Sequence, residues 1–337
     1  MKIILAIFAI ACGAALFALW DEDLPPADAG GGIVAAVAGA DIAKLPGPNL
    51  PEALAAQDHS GPNEIGMDAV NKLLRIASER VDRYSSIAAL VRHRTQLFNS
   101  ELIGSGLYQQ VGQGSARRFR LELRTQVGDE VSSRLQVCDA NALWTYRETP
   151  GGAQLEWLDL RRVRAAQRQA AQLPPNSPVA ELATGGVPKL LEGLQLNFQT
   201  LKVEAGYLVE VPMWAIELEW KPSVLAALAP DQQERITAGE PCDFAELPQL
   251  PERVMIFLGH EDLFPRRIEF RRRASDNQER SRVGEGRGDE FLPAVTVEFT
   301  DVQLNRPIDP RQFEYVATGA TDVTEAFLQS RGLPMVR

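Results

Sequence analysis

The sequence predicts an α+β fold in which helices pack against one face of a large curved antiparallel sheet. Apolar and polar residues alternate with a period of two in several segments between residues 118 and 302. This alternation is typical of strands that are packed on one face and solvated on the other. Short turn sequences rich in Gly, Asp and Asn separate several of these segments. Helical periodicity precedes the strands and returns between two groups of them.

The N-terminal segment predicts export. Residues 3–20 carry no charge, one lysine precedes them, and three acidic residues follow at positions 21–23. A helix of this length spans roughly 27 Å, close to the apolar thickness of a bilayer. The flanking charges orient the rest of the chain away from the cytoplasm. Residues 1–20 are therefore either a signal peptide or an N-terminal membrane anchor, and of the two we favour the anchor.

The sequence divides into the N-terminal segment and two further regions. The N-terminal segment predicts a protein of the periplasm or cell envelope that is tethered to the inner membrane by residues 3–20. Residues 21–63 are rich in Ala, Pro, Gly and Asp, a composition that predicts a disordered tether. Residues 64–337 then form the folded domain, with an insertion near residues 222–250.

Helices are predicted at the start and in the middle of this domain. Apolar residues recur at helical spacing from Met67 to Tyr84. Two further helical patterns occupy residues 161–173 and 185–198, and residues 222–250 are helix-prone and Pro-rich. Strands are predicted around these helices, at residues 118–124, 131–138, 201–211, 215–220, 253–258, 266–273 and 294–302.

Charge and cysteine content exclude several functions. The net charge of -10 argues against nucleic-acid binding, which normally uses an excess of Lys and Arg. The three cysteines, Cys12, Cys138 and Cys242, form no CxxC pair, so a cysteine zinc site is not predicted. In an exported domain, Cys138 and Cys242 could form one disulfide.

No catalytic, metal or cofactor motif is present. The sequence has no HExxH, GxSxG, P-loop or EF-hand pattern. We expect His93 to face solvent, His260 to lie in a loop, and the arginines at 271–273 to occupy a solvated face. The protein is therefore predicted not to be an enzyme and to need no cofactor or metal.

A series of short motifs resembles a known family. They are, in chain order, Gly104 and Gly106, then Arg118 and Arg120, then Val137, Asp139, Leu143, Trp144 and Tyr146, and finally Leu304, Asn305, Ile308, Asp309 and Phe313. Their order and spacing resemble the LolA-like periplasmic lipoprotein-carrier superfamily, whose fold the envelope regulator RseB shares. Ala140 stands where typical members carry a glycine.

The resemblance implies an open (half) β-barrel with helices packed on its concave face, enclosing an apolar cavity for acyl chains. On this basis the predicted cavity-lining residues are Phe119, Leu121, Leu123, Leu135, Val137, Trp144 and Tyr146. Trp144 is expected to point inward beside Phe119 and Leu121, and helices within residues 161–198 are expected to gate entry.

The resulting hypothesis is a non-enzymatic envelope protein that binds acyl chains of a lipid or lipoprotein. Its expected partners are those acyl chains, the membrane through the N-terminus, and an envelope protein. The alternative is a protein-interaction or sensing module of the envelope that uses the same fold without a lipid ligand. A cavity that contains bound lipid favours the first hypothesis, and one that is filled by the helices favours the second.

Overall fold

The computed structural model describes residues 67–97, 100–127, 130–169, 178–248, 250–273, 291–315 and 319–335. The predicted signal peptide or anchor at residues 1–20 and the predicted tether at residues 21–63 lie outside these ranges. In the part of the chain that is described, no helix is long and apolar enough to cross a membrane.

The first half of the domain is one helix followed by a six-stranded meander. The helix is α1 (Met67–Arg83), and the strands are β1 (Ser86–Leu97), β2 (Ser100–Val111), β3 (Arg118–Val127), β4 (Glu130–Cys138), β5 (Ala142–Thr149) and β6 (Gly152–Asp159). Two helices, α2 (Leu160–Gln169) and α3 (Pro178–Asn197), then lead to the second half.

The second half forms five further strands and a short C-terminal unit. The strands are β7 (Phe198–Leu208), β8 (Val211–Trp220), β9 (Arg253–Gly259), β10 (Pro265–Arg273) and β11 (Phe291–Leu304). The short helices α4 (Pro222–Leu228) and α5 (Gln233–Thr237) lie between β8 and β9. The chain then forms β12 (Thr321–Asp322) and helix α6 (Thr324–Ser330).

All strands belong to one open 12-stranded sheet with the order β12-β6-β5-β4-β3-β2-β1-β11-β10-β9-β8-β7. The short β12 pairs in parallel with β6, and the other neighbours are antiparallel. The chain leaves the centre at β1, reaches one edge at β6, crosses through α2 and α3, and returns from the other edge to pair β11 with β1. Because β12 and β7 do not pair, the barrel stays open, which confirms the predicted α+β half-barrel.

The main core lies between the sheet and the helices. We call the covered side of the sheet the helix face and the opposite side the outer face. The helix face carries Ile87, Phe119 and Ile216, and it packs against α1 and α3. The helices contribute apolar residues that are at most 3% exposed, namely Leu73, Leu74, Ala77 and Val81 from α1 and Val187, Leu190, Leu191 and Leu194 from α3.

The segment at residues 222–250 is held on the sheet by an arginine that the sequence did not single out for this role. Arg272 donates from Nη1 to the carbonyl oxygens of Leu247 and Leu250, both at 2.9 Å, and from Nη2 to that of Phe244 at 2.9 Å. The prediction that the arginines at 271–273 are simply solvated is therefore wrong for Arg272. A guanidinium group has five N–H donors, so a single arginine can bind several backbone carbonyls of a turn at once.

Candidate functional site

A pocket lies where α2, α3 and α6 meet the helix face of β3 and β4. We call it the helix pocket, and its cavity volume is about 110 Å³. We call its four buried apolar residues, Phe119, Cys138, Leu160 and Val163, the floor, and its four basic residues, Arg117, Arg164, Lys189 and Arg331, the rim. Gly114, Gln167, Gly185 and Phe327 complete the lining.

The floor is apolar because cross-strand pairing and helix periodicity bring four buried groups together. Phe119 of β3 pairs with Cys138 of β4, so both point to the same side of the sheet. Leu160 and Val163 lie three residues apart on one face of α2 and cover them. All four side chains are at most 4% exposed.

The Cys138 thiol belongs to this apolar floor and has little reactivity. Burial raises its pKa to about 11, so the thiolate is scarce at neutral pH. Cys138 and Cys242 are both free, which means that the disulfide considered from the sequence is not formed.

The rim of the helix pocket is cationic, and its lining contains no acidic residue. Arg117 is only 7% exposed; it donates from Nη1 to the carbonyl oxygen of Gly185 at 2.7 Å and pairs with Asp82. Arg164 donates from Nη2 to the carbonyl oxygen of Ala140 at 2.7 Å. Lys189 pairs with Glu192 at 2.6 Å. The lining of the pocket therefore combines an apolar floor with four positively charged side chains.

Helix α3 is interrupted beside the pocket at Gly186, whose φ of 71° and ψ of -168° are not helical. The helix restarts at Val187, whose backbone N–H donates to the Tyr108 hydroxyl at 3.0 Å. That hydroxyl in turn donates to Oε1 of Gln110 at 2.6 Å. Burial raises the pKa of Tyr108 far above its usual value, so the phenol stays neutral and keeps both hydrogen bonds. A buried polar chain thus fixes the restart of α3 on strand β2.

The seven residues predicted to line one cavity lie on opposite faces of the sheet. Phe119, Leu121 and Leu123 point to the helix face together with Cys138, Gln136 and Arg134, their partners across β3 and β4. Leu135, Val137, Trp144 and Tyr146 point to the outer face.

The prediction that Trp144 points inward beside Phe119 and Leu121 is therefore wrong. Val127 pairs with Glu130 across a two-residue connection, and this register places Phe119 opposite Cys138 instead of Val137. Since successive side chains of a strand alternate between faces, this register sends the two apolar sets to opposite sides. Among the predicted lining residues, only Phe119 lines the helix pocket.

The aromatic residues of the β5 hairpin belong to a cluster on the outer face. The rings of Trp144 and Trp157 are stacked with their centroids 5.9 Å apart, and Trp144 lies 5.9 Å from the ring of Tyr315. Tyr315 belongs to the segment that follows β11. In the same segment, the carbonyl oxygen of Gln312 accepts a hydrogen bond from Nη1 of Arg120 on β3, at 3.3 Å. The aromatic side chains thus attach the C-terminal segment to the outer face.

Of the two histidines in the described residues, His93 contradicts its prediction from the sequence and His260 agrees with it. His93 was expected to face solvent, but it is 4% exposed and lies on the helix face. A Cβ at Gly104 would overlap its imidazole ring, so the absence of a side chain at Gly104 makes room for it. His260 lies in the turn between β9 and β10, as expected, with its ring stacked on Trp214 at 5.0 Å. The described residues contain no group of three or more side chains arranged to hold a metal ion.

Sequence reasoning missed the cationic rim and the interruption in α3. The signals were present: α2 contains four arginines and no acidic residue, and a Gly-Gly-Val-Pro sequence at residues 185–188 interrupts the helical pattern. Such a sequence favours a helix end and restart over a continuous helix. The convergence of α2, α3 and α6 on one pocket depends on contacts between residues far apart in the chain, and no local pattern predicts it.

Comparison with known proteins gives matches at the level of solved structures. No family model and no curated protein matches the chain. A putative outer membrane lipoprotein-sorting protein domain from Vibrio parahaemolyticus is 7% identical, with a TM-score of 0.31, and the match covers 74% of this chain and 97% of that one.

Two other matched structures are the MucA/MucB complex of Pseudomonas aeruginosa and LprF from Mycobacterium bovis. The first is 11% identical with a TM-score of 0.34, over 73% of this chain and 61% of that one. The second is 10% identical with a TM-score of 0.33, over 72% and 95%. At these identities and TM-scores the matches assign neither a family nor a function.

Proposed function

We propose that the protein is a non-enzymatic, exported envelope protein that binds acyl chains of a lipid or lipoprotein at the helix pocket. The observation that supports this most directly is the floor of Phe119, Cys138, Leu160 and Val163, which is apolar and lies in a pocket lined by α2, α3 and α6. Each methylene buried there contributes about 0.8 kcal/mol, so a chain of twelve gives roughly 10 kcal/mol before ordering costs.

Binding of a whole acyl chain requires the helices to move. The cavity volume of about 110 Å³ is well below the roughly 300–1,000 Å³ of typical ligand sites. Helices α2 and α3 form one side of the pocket, and α3 is already interrupted at Gly186. Displacement of α2 and the first part of α3 would extend the floor from Phe119 toward Leu121 and Leu123 along the same face of β3.

A second function is favoured by a separate observation. The helix face is filled by α1 and α3, whose apolar side chains are at most 3% exposed. A face that stays filled fits a protein-interaction or sensing module of the envelope, with no lipid ligand. Acyl binding requires the helices to move away from this face, whereas the interaction module keeps them in place.

The experiment that separates them is native mass spectrometry on the full chain, purified from an envelope extract without detergent, followed by organic extraction and titration with a fluorescent fatty acid. The variant Val163→Phe places a larger side chain in the pocket, and we expect it to weaken fatty-acid binding at least tenfold. Trp144→Phe is the matched control on the outer face, and its affinity should stay within twofold of the parent. A parent protein that is folded, empty and unable to take up fatty acid contradicts acyl binding and leaves the interaction module.

A further inference from the structure

We propose that the helix pocket contains a phosphate-binding site, with Arg164 as its principal ligand and Arg117 and Lys189 beside it. The shared chemistry is a phosphate monoester or diester anion, carried by a phospholipid headgroup or free in solution. The phospholipid form of this inference rests on the proposed acyl-binding function, because the tail would then lie on the apolar floor.

The charge distribution is the first argument. The chain carries a net charge of -10, yet four basic side chains and no acidic one line this pocket. Arg117 and Lys189 have carboxylate partners, Asp82 and Glu192. Arg164 donates to the carbonyl oxygen of Ala140, a neutral acceptor, so its charge has no counter-ion among the described residues. An uncompensated guanidinium in a cleft attracts an anion, and its planar donors match phosphate oxygens in pairs.

The second argument is an unsatisfied buried donor. Nε of Arg117 is buried and has no hydrogen-bond partner among the described residues. Leaving a buried donor unpaired costs about 1–3 kcal/mol, and more on a charged group, so native proteins usually provide an acceptor. The ionised oxygens of a phosphate accept hydrogen bonds, so a phosphate in the pocket could accept from Nε of Arg117 and from the guanidinium of Arg164 together.

The third argument is the division of the pocket into two chemistries. The floor side chains Phe119, Leu160 and Val163 offer no donor to a ligand, while the four residues of the rim are all basic. A volume of about 110 Å³ equals a few water molecules at about 30 Å³ each. The closed pocket therefore has room for a headgroup anion, whereas the acyl chain needs the helices to move. The phosphate site is complete before the apolar site opens.

The test compares three ligands by isothermal titration with the full chain. They are inorganic phosphate, dihexanoylphosphatidylglycerol, and dihexanoylglycerol, which has the same tails without phosphate. The decisive variant is Arg164→Gln, and the matched control is Arg168→Gln, which removes the same charge from an exposed residue of the same helix that does not line the pocket. Thermal melting of both variants verifies that they are folded.

We expect Arg164→Gln to weaken phosphatidylglycerol and phosphate binding at least tenfold and Arg168→Gln to stay within twofold. Equal weakening by both variants shows general electrostatic attraction and overturns the site. Binding of both lipids with equal affinity, unaffected by Arg164→Gln, overturns the phosphate site while acyl binding stands. Binding of inorganic phosphate that depends on Arg164, with no gain from tails, supports the site for free phosphate and contradicts the acyl-binding function. Absence of binding by all three ligands contradicts both.

Discussion

Substitution of Gly186 by alanine tests whether the interruption in α3 is a built feature of the fold. The backbone at Gly186 has φ 71° and ψ -168°, a region of the conformational map that is accessible essentially to glycine alone. A Cβ at this position would overlap the hydroxyl of Tyr108 and lie 2.9 Å from Oε1 of Gln110. Neither neighbour has free space, because Tyr108 is 1% exposed and Gln110 is fully buried.

The expected loss of stability follows from two separate terms. The backbone conformation costs an alanine about 1–3 kcal/mol. Displacing the Tyr108 hydroxyl removes its bond from the N–H of Val187, for about 1 kcal/mol more. Together the free energy of unfolding should fall by about 2–4 kcal/mol. For a domain of this size, each kcal/mol lowers Tm by roughly 2–4 °C, so Gly186→Ala should melt about 4–16 °C below the parent.

The assay is urea unfolding followed by circular dichroism, with Gly151→Ala as the control. Among the described residues, a Cβ at Gly151 would meet only Thr149 Oγ1, at an ordinary contact distance of 3.7 Å, so this variant should lie within about 1 kcal/mol of the parent. In a double-mutant cycle, Tyr108→Phe removes the oxygen that the Cβ overlaps. The cost of Gly186→Ala should therefore be smaller in that background, while the backbone term persists. If Gly186→Ala matches Gly151→Ala in stability, the strain argument is refuted.

Two further predictions concern titratable groups. The carboxylate of Asp159 caps α2 by accepting hydrogen bonds from the backbone N–H groups of Arg161 and Arg162. Burial raises the pKa of Asp159, but these bonds and the Arg161 side chain outweigh it and lower that pKa. Above pH 5, Asp159→Ala should reduce the free energy of unfolding, measured with urea, by about 1 kcal/mol, and Asp159→Asn should reduce it by less. The difference in stability between the parent and Asp159→Ala should shrink as the pH falls below about 4. An equal loss in the two variants would contradict the capping role. Burial lowers the pKa of His93, so the unfolded state binds the proton more readily. The stability from neutral His93 is complete above about pH 6.5 and declines below it, and His93→Gln should show a flatter profile between pH 7 and 5, by up to about 1.4 kcal/mol per pH unit. Parallel profiles for parent and variant would show that His93 does not titrate differently in the two states.

The architecture could be predicted from the sequence because its signals are local. Period-two alternation located β3, β4, β8, β9, β10 and β11, and helical spacing located α1 and α2. Each of these patterns is confined to about ten residues, and each reports which residues share a face. The order of most strands in the sheet is also a local property, because strands joined by short hairpins lie side by side. The open sheet that results is the fold that the resemblance implies.

The candidate site could not be predicted in the same way, because alternation does not say which face is inward. Strand β4 has apolar residues on both faces near its end, with Val137 outward and Cys138 inward. Both are buried, since the C-terminal segment covers the outer face while the helices cover the other. The two-residue spacing between Val127 and Glu130 is typical of a tight hairpin, and a hairpin of this length fixes the register and thus the face on which each residue lies.

The hydrogen bonds that attach the pocket's helices to the sheet determine which of these helices can move. α2 begins at Leu160 directly after the last residue of β6, and its first turn is held by the Asp159 cap and by the bond from the Leu160 N–H to the Asn141 carbonyl at 2.8 Å. α6 is attached to the same strand edge through the hydrogen bond from the Asp159 N–H to Thr324 Oγ1 at 2.9 Å. Neither attachment allows these helix starts to leave the sheet without breaking buried hydrogen bonds.

The part of α3 after Gly186 is equally fixed, because Leu190, Leu191 and Leu194 are at most 2% exposed in the core. Arg117 also ties α3 on the other side of Gly186, through the bond from its Nη1 to the carbonyl oxygen of Gly185. A phosphate that accepts from Nε of Arg117, which has no partner among the described residues, would leave this bond in place. Phosphate binding at the proposed site therefore does not by itself release the floor, and acyl binding requires a separate movement of the helices.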